Sequence, residues 1–174
     1  MPKKAKSAKG SGGAFGATKS GGGQWKWLWL TFFVVLLDLL SKSMASYYLS
    51  EFTVKPVIPG INLVLAHNRG AAFNFLSDSS GWQLWFFVGI ALAVSIGILA
   101  WLWKSNGKHS LTAAALALIL GGALGNMINR LISGYVIDFI DLYYRSYHWP
   151  AFNVADSAIC IGVVCFIISG FRKA

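Results

Sequence analysis

Four aspartates of this 174-residue chain stand in or beside apolar stretches. Placing an Asp at the centre of a membrane helix costs about 2.5–3.5 kcal/mol, so an acid in such a place is a functional candidate. Asp38 and Asp156 interrupt long apolar runs, and Asp138 is the one acid within the apolar stretch 136–140. Asp141 follows shortly afterwards, and we expect it to be an ordinary solvated loop residue.

Two carboxylates at one site have a specific chemical consequence. Like charges a few ångströms apart resist ionising together, so one pKa rises and the pair shares a proton. The ionised member can take a proton from water while the protonated member polarises a carbonyl, which is aspartic-protease chemistry. The competing use of intramembrane acids is a proton or cation relay in a transporter or channel.

The acids also have purely structural interpretations. Asp38 and Lys42 are spaced i,i+4, so they can pair on one helix face. Asp156 can stabilise the first turn of a helix together with Asn153, three residues before it. If the acids only pair with cations, the chain is a non-catalytic membrane scaffold. We favour a functional role for Asp138 and Asp156.

Polar residues that could support an acid pair lie at two further places. Asn68–Gly70 follow a strand-like piece, and Asn126 and Arg130 are spaced i,i+4 at the end of an apolar helix. Helix capping and snorkelling of Arg130 to the membrane interface would explain Asn126 and Arg130 taken alone. They do not explain why so many polar residues occur together with the acids. Gly121 and Gly125 form a small-xxx-small pattern, which predicts close helix packing.

The elements that must position these residues follow from composition. Apolar residues make up 56% of the chain and charged residues 12%, against about 25% charged in a soluble domain. Spans of about 20 apolar residues predict transmembrane helices. Four are predicted, at 25 to about 48, Trp82–Trp103, Leu111–Ile128 and Ala151–Phe171. A cleaved signal peptide is the alternative for the first span, but its aromatic flank favours an anchored helix.

The segments between the spans differ in character. Residues 1–24 predict a flexible basic tail, and 25–174 form one membrane domain. Within it, 49–80 is a small element outside the membrane with short strands at Phe52–Val54 and Ile61–Ala66, and 131–150 is a mixed loop. The expected fold is an all-α membrane protein, a four-transmembrane-helix bundle with a small extracytoplasmic β-strand and loop element.

The distribution of charge predicts the orientation. Ten of the 15 basic residues and none of the six acids lie in 1–26, 104–109 and 172–173. Cytoplasmic loops carry the excess of Lys and Arg, so both termini are expected in the cytoplasm and 49–80 and 131–150 outside. The net charge of +9 therefore reflects membrane orientation, and we expect no nucleic-acid partner.

The remaining reactive residues form no motif. Cys160 and Cys165 lie on different faces of the fourth predicted helix, so we expect no disulfide between them and treat both as small apolar packing residues. His67, His109 and His148 lack metal-ligand spacing, and we expect interface or loop positions for them. We expect neither a metal nor a cofactor.

Five blocks together resemble the bacterial lipoprotein signal peptidase family, the type II signal peptidases. The blocks are Asp38–Lys42, Asn68–Phe73, Gly121–Asn126 with Arg130, Val136–Phe139 and Phe152–Ser157. They come in the family's order, across roughly residues 25–172. The resemblance implies an intramembrane aspartic endopeptidase of the bacterial inner membrane, which cuts prolipoproteins just before a lipobox Cys that carries diacylglycerol.

The resemblance also implies roles for individual residues. It identifies Asp138 and Asp156 as the catalytic pair, and so separates Asp138 from Asp141. A supporting or substrate-binding role falls to Asp38, Lys42, Asn68, Gly70, Asn126, Asn129, Arg130, Asn153 and Ala155. The family usually has Asp where this chain has Asn129, which removes one charge. The implied partners are lipid-modified prolipoproteins and membrane lipids, and a monomer would hold the whole site.

Overall fold

The computed structural model describes residues 23–70, 81–105 and 110–171. A short 3-10 turn at Trp25–Trp27 precedes the regular elements. In chain order these are α1 Leu28–Tyr48, β1 Lys55–Ile58, β2 Ile61–Asn68, α2 Trp82–Lys104, α3 Ser110–Ser133, β3 Val136–Tyr144, β4 Tyr147–His148 and α4 Val154–Phe171. Most of the predicted tail, 71–80, most of the basic turn and the C-terminal basic pair lie outside the described residues.

The four predicted spans and the expected fold class are confirmed. All four helices are long and apolar enough to cross a membrane, and α4 begins three residues later than predicted, at Val154. Large apolar side chains such as Trp29, Phe33 and Ile132 point outward. A helix that is apolar all round is typical of a membrane span.

Helix α3 is the centre of the bundle, because it packs against α1, α2 and α4. Lipid tails are as apolar as leucine side chains, so the hydrophobic effect does not drive helices together inside a membrane. Small residues favour contact there because they let two helix backbones approach closely. Gly121 lies against Val34 of α1, and Gly125 lies against Asp38. At Gly122, a Cβ atom would overlap the carbonyl oxygen of Ala155 in α4. The predicted close packing at Gly121 and Gly125 is therefore confirmed.

A four-stranded antiparallel sheet lies at one end of the bundle, in the order β1-β2-β3-β4. We call this end, where α1 and α3 finish and α4 begins, the sheet end. The register places Asn68 of β2 opposite Val136 and Ala66 opposite Asp138 of β3. The sheet thereby brings the 68–70 segment to the stretch that carries Asp138.

Two predictions about this region were wrong. The stretch Phe52–Val54 is not a strand, and Phe52 has a positive φ of 68°; the first strand is Lys55–Ile58, an edge position where Pro56 is tolerated. The 131–150 segment is not a mixed loop, because it supplies β3 and β4. The first four residues of β3 are all buried, so the strand lacks the alternation that would have revealed it.

Substitution of Gly122 tests the close packing of α3 on α4. We expect Gly122→Ala to lower the free energy of unfolding by about 1–3 kcal/mol, the usual cost of overpacking, because the new methyl group meets backbone. Gly97→Ala is the matched control: its Cβ has nothing within 4 Å, and Ala is the better helix former. Thermal unfolding in detergent micelles measures both variants. Equal unfolding temperatures would contradict the packing argument.

Candidate active site

An ion pair buried within the bundle lies beside the acids at the sheet end. Lys42 Nζ is 2.7 Å from Asp38 Oδ2, and the two side chains are 2% and 0% exposed. The other carboxylate oxygen of Asp38 accepts a hydrogen bond from the backbone N–H of Ala155, in the first turn of α4 (2.9 Å). The positive end of that helix favours a negative charge at this place. The predicted i,i+4 pair therefore exists, and it also joins α1 to α4.

The ion pair reaches Asp156 through one amide. Lys42 Nζ donates to Asn126 Oδ1 (2.8 Å), and Asn126 Nδ2 donates to Asp156 Oδ1 (2.8 Å). Because the lysine can only donate, it holds the amide oxygen of Asn126 toward itself and turns the amide nitrogen to the carboxylate. Asn126 therefore connects the buried charge of α1 to the acid on α4.

Asn153 joins the two candidate catalytic acids. Its Oδ1 accepts from the N–H of Asp156 (3.0 Å), and its own N–H donates to Asp156 Oδ2 (3.2 Å), which is the reciprocal capping box of a helix N-terminus. Asn153 Nδ2 donates to Asp138 Oδ1 (2.7 Å). The structural interpretation of Asp156 as a first-turn acid is thus correct, and the same cap connects it to Asp138.

Asp138 is a buried residue of β3, 3% exposed, where the sequence predicted a loop. Asn68 Nδ2 donates to its Oδ2 (2.9 Å), and Asn68 Oδ1 accepts from the N–H of Gly70 (3.0 Å). Burial raises the pKa of Asp138 to about 6, and the charge of Asp156 adds to the rise, while hydrogen bonds from Asn68 and Asn153 oppose it.

The consecutive residues Asn129 and Arg130 act at different places. Arg130 donates to the carbonyl oxygen of Gly70 (3.1 Å), and its guanidinium lies 4.8 Å from the ring centroid of Phe87 on α2. Asn129 is buried, and its Oδ1 accepts from the N–H of Ile137 at the start of β3 (2.8 Å). Asn129 therefore contacts the backbone next to Asp138 instead of a carboxylate.

Both acids line one cavity of about 610 Å³. Its polar wall includes Asn68, Gly70, Asn126, Arg130, Asp138 and Asp156. Its apolar wall includes Phe87 of α2, Leu142 and Trp149 of the sheet region, and Cys160 and Ile161 of α4. The cavity can therefore hold a ligand with both a polar backbone and apolar groups. Among the described residues, no three His, Cys, Asp or Glu side chains are grouped to hold a metal ion.

Sequence reasoning misjudged two residues near this cavity. Asp141, expected to be solvated, is 6% exposed and accepts hydrogen bonds from Asn62 and His148. No signal in the sequence marked this burial, because β3 was not predicted as a strand and the opposite strand faces of Asp138 and Asp141 could not be assigned. Cys160 is free, as expected, but it is exposed and lines the cavity.

The chain matches a known protein family over most of its length. The sequence profile of the family described as "Signal peptidase (SPase) II" matches residues 30–172. Two proteins named "Lipoprotein signal peptidase", from Yersinia enterocolitica serotype O:8 and Yersinia pestis strain Pestoides F, are each 48% identical over 146 residues, which cover 84% of this chain and 86% of the relative.

Solved structures agree with this result. One, titled "Bacterial membrane enzyme structure by the in meso method at 2.3 A resolution", has a TM-score of 0.76 and 32% identity, covering 85% of this chain and 88% of its own. A second, with the same title at 1.9 A, has a TM-score of 0.75 and 31% identity, covering 86% and 94%. Both similarities extend over nearly the whole four-helix fold.

Removal of Lys42 tests the buried ion pair. Breaking one side of such a pair typically costs about 3–5 kcal/mol, because it leaves an uncompensated charge. We expect Lys42→Met to lower the unfolding temperature in detergent. Adding Asp38→Asn should restore part of the loss, because the amide removes the stranded charge and still accepts from the Ala155 N–H. If the double variant is as unstable as the single one, the stranded charge does not explain the loss.

The raised pKa of Asp138 predicts a pH dependence of stability. Because it lies above the usual value of 3.8, the folded chain binds a proton more tightly than the unfolded chain. The bound proton contributes its full stabilisation, about 3 kcal/mol, below pH 3.8. This stabilisation is lost as the pH rises through about 6. Asp138→Asn should remove this component. Unfolding of variant and wild type between about pH 4 and 8 checks it, and parallel pH curves would contradict it.

Proposed function

The chain belongs to the signal peptidase II family, and on that basis we propose that it is an aspartic endopeptidase that removes the signal peptide from diacylglyceryl-modified prolipoproteins. Members of this family cleave signal peptides from prolipoproteins, and the four apolar helices make this chain a multi-pass bacterial membrane protein. The proposed bond is the one just before the lipidated Cys. The observation that carries the aspartic assignment is that Asp138 and Asp156 line one cavity while the buried Asn153 is hydrogen-bonded to both.

The two acids divide the work of hydrolysis. We assign the one proton of the pair to Asp138, the acid whose pKa is raised by burial, and it donates this proton to the carbonyl oxygen of the scissile bond. Asp156 accepts a proton from water, whose oxygen attacks the carbonyl carbon. The tetrahedral intermediate then collapses: the C–N bond breaks, the proton on Asp156 passes to the leaving amine, and Asp138 recovers its own.

The supporting residues keep these acids in place. Asn68, Asn126 and Asn153 each direct an amide N–H at a carboxylate, and the ion pair of Asp38 and Lys42 directs one of these amides. Arg130 and Gly70 close the polar wall of the cavity, and Ala155 contributes its backbone N–H to Asp38.

The departure from the family at Asn129 is compatible with activity. Its Oδ1 accepts a hydrogen bond from the Ile137 N–H, and an Asp carboxylate in the same place would accept that bond too. This contact needs an acceptor oxygen but no charge. We therefore propose that the chain is active with Asn at this position.

The substrate approaches from the lipid. Phe87 of α2 and Cys160 and Ile161 of α4 form the apolar side of the cavity, so a lipid-anchored substrate can enter between these helices. We place the sheet end outside and both termini in the cytoplasm, because ten of the 15 basic residues and no acid fall in 1–26, 104–109 and 172–173. The enzyme would act as a monomer in the inner membrane, at its outer face.

Hydrolysis is favoured over transport. A proton-coupled transporter would need polar groups through the full depth of the bundle, whereas Asp38, Asp138 and Asp156 all belong to one network at the sheet end. Deeper in the bundle, the hydroxyl of Thr31 donates to a helix carbonyl and Thr112 pairs with Ser169. These hydroxyl and carbonyl groups are hydrogen-bonded to one another, and none of them is titratable.

Cleavage by purified variants tests the proposal. We expect Asp138→Asn and Asp156→Asn each to lower kcat by at least about 100-fold, the usual contribution of general acid–base catalysis, on a diacylglyceryl prolipoprotein. Asn129→Asp should remain close to wild type. Glu51→Gln is the control, because it neutralises an exposed acid that pairs with His67. Substantial turnover by either dyad variant, with folding intact, would exclude the two-acid mechanism.

A further inference from the structure

A second buried carboxylate on β3 has no part in the proposed chemistry. Asp141 lies on the opposite strand face from Asp138, and Asn62 Nδ2 donates to its Oδ2 (2.8 Å). His148 Nδ1 lies 2.9 and 3.0 Å from its two oxygens. Because a carboxylate only accepts, Nδ1 carries the proton of this bond. One side chain of β3 therefore ties β2 on one side and β4 on the other.

This tether matters most for β4, which is short. The strand has only two residues, Tyr147 and His148, and so small a ladder is marginal on its own. The half-exposed His148 ring also stacks on Tyr143, its register partner, with centroids 5.5 Å apart. The backbone N–H of Trp149 then donates to the carbonyl of Leu142 (2.8 Å). The His148 contacts therefore determine where the chain leaves β4.

The two residues that directly follow Asp141 and His148 in the chain line the cavity that contains Asp138 and Asp156. Leu142 comes directly after Asp141, and Trp149 comes directly after His148, and both belong to the apolar wall. The same two side chains also line a groove of about 360 Å³ on the β3–β4 hairpin, with Tyr143, Tyr144, Tyr147 and His148. We call this the hairpin groove. It continues the cavity away from the helices.

We propose that Asp141 and His148 are positioning residues that hold Trp149 between the cavity and the hairpin groove, and that this groove binds the polypeptide on the C-terminal side of the cleaved bond. The proposal rests on the proposed function. The lipid chains and the signal peptide belong in the membrane, on the side of Phe87 and Ile161. The chain beyond the scissile bond must leave toward the sheet, and exposed aromatic rings suit an extended polypeptide, whose contacts they make at little cost in entropy.

The test compares two substrates with each enzyme variant. One is a full diacylglyceryl prolipoprotein, and the other is a lipidated peptide that ends directly after the lipidated Cys. For His148→Ala we expect KM to rise roughly tenfold on the long substrate, about the effect of losing one hydrogen bond to a charged group. We expect kcat within about twofold of wild type and KM on the short substrate unchanged, because binding alone is affected.

Four further variants separate positioning from general damage. His148→Asn keeps an N–H donor near the place of Nδ1 and should recover most of the wild-type KM. Trp149→Ala should raise KM on the long substrate at least as much as His148→Ala does, and the double variant should be no worse than Trp149→Ala alone, because His148 acts through Trp149. Glu51→Ala breaks the other His–acid pair of the sheet and should leave KM on both substrates unchanged.

The outcomes distinguish the two proposals. If wild type cleaves neither substrate, the proposed function fails and this inference fails with it. If wild type cleaves both and His148→Ala has normal KM values, or has equally raised KM on both, only the positioning role is excluded. Additive effects of His148→Ala and Trp149→Ala would likewise exclude action through Trp149.

Discussion

The buried ion pair between Asp38 and Lys42 is the constraint on which the rest of the site depends. Removing two charges from water costs several kcal/mol per ion, and only good geometry with additional hydrogen bonds offsets it. Here the additional bonds come from other elements: the Ala155 N–H of α4 and the Asn126 amide of α3. Gly125 permits the approach, since a side chain there would lie 2.6 Å from Asp38 Oδ2. The pair therefore determines how three helices meet.

Three asparagines convert this arrangement into a directed set of donors. Each amide oxygen accepts from a group that can only donate, so each amide nitrogen must face a carboxylate. The oxygens accept from Lys42 Nζ, the Asp156 N–H and the Gly70 N–H, and the nitrogens donate to Asp156 and Asp138. Asp in these places would lack the donor. The amides thus orient both acids without adding charge, whereas carboxylates in their places would add negative charge.

One strand of the sheet, β3, positions side chains on both of its faces. Because successive side chains of β3 alternate, Asp138 points to the acids of the bundle, and Asp141 points to the opposite face, where it contacts Asn62 of β2 and His148 of β4. The first buries a carboxyl, and burial raises its pKa to about 6. The second fastens the hairpin whose residues complete the cavity wall. A loop could not maintain both relationships, because it would not fix the alternation.

Much of this protein could be predicted from the sequence because membrane insertion is a property of composition. Spans of uncharged apolar residues indicate helices without knowledge of their neighbours, and acids within apolar stretches are costly enough to mark a site on their own. The strand β3 could not be predicted this way, because its buried start reads as a plain apolar run. Asn62 bonds to Asp141 and Asn68 to Asp138 from 79 and 70 residues away in the chain, and Asn126 bonds to Asp156 from 30 residues away. Those contacts exist only after β2 and β3 have paired and α4 has packed on α3, so only the tertiary structure decided them.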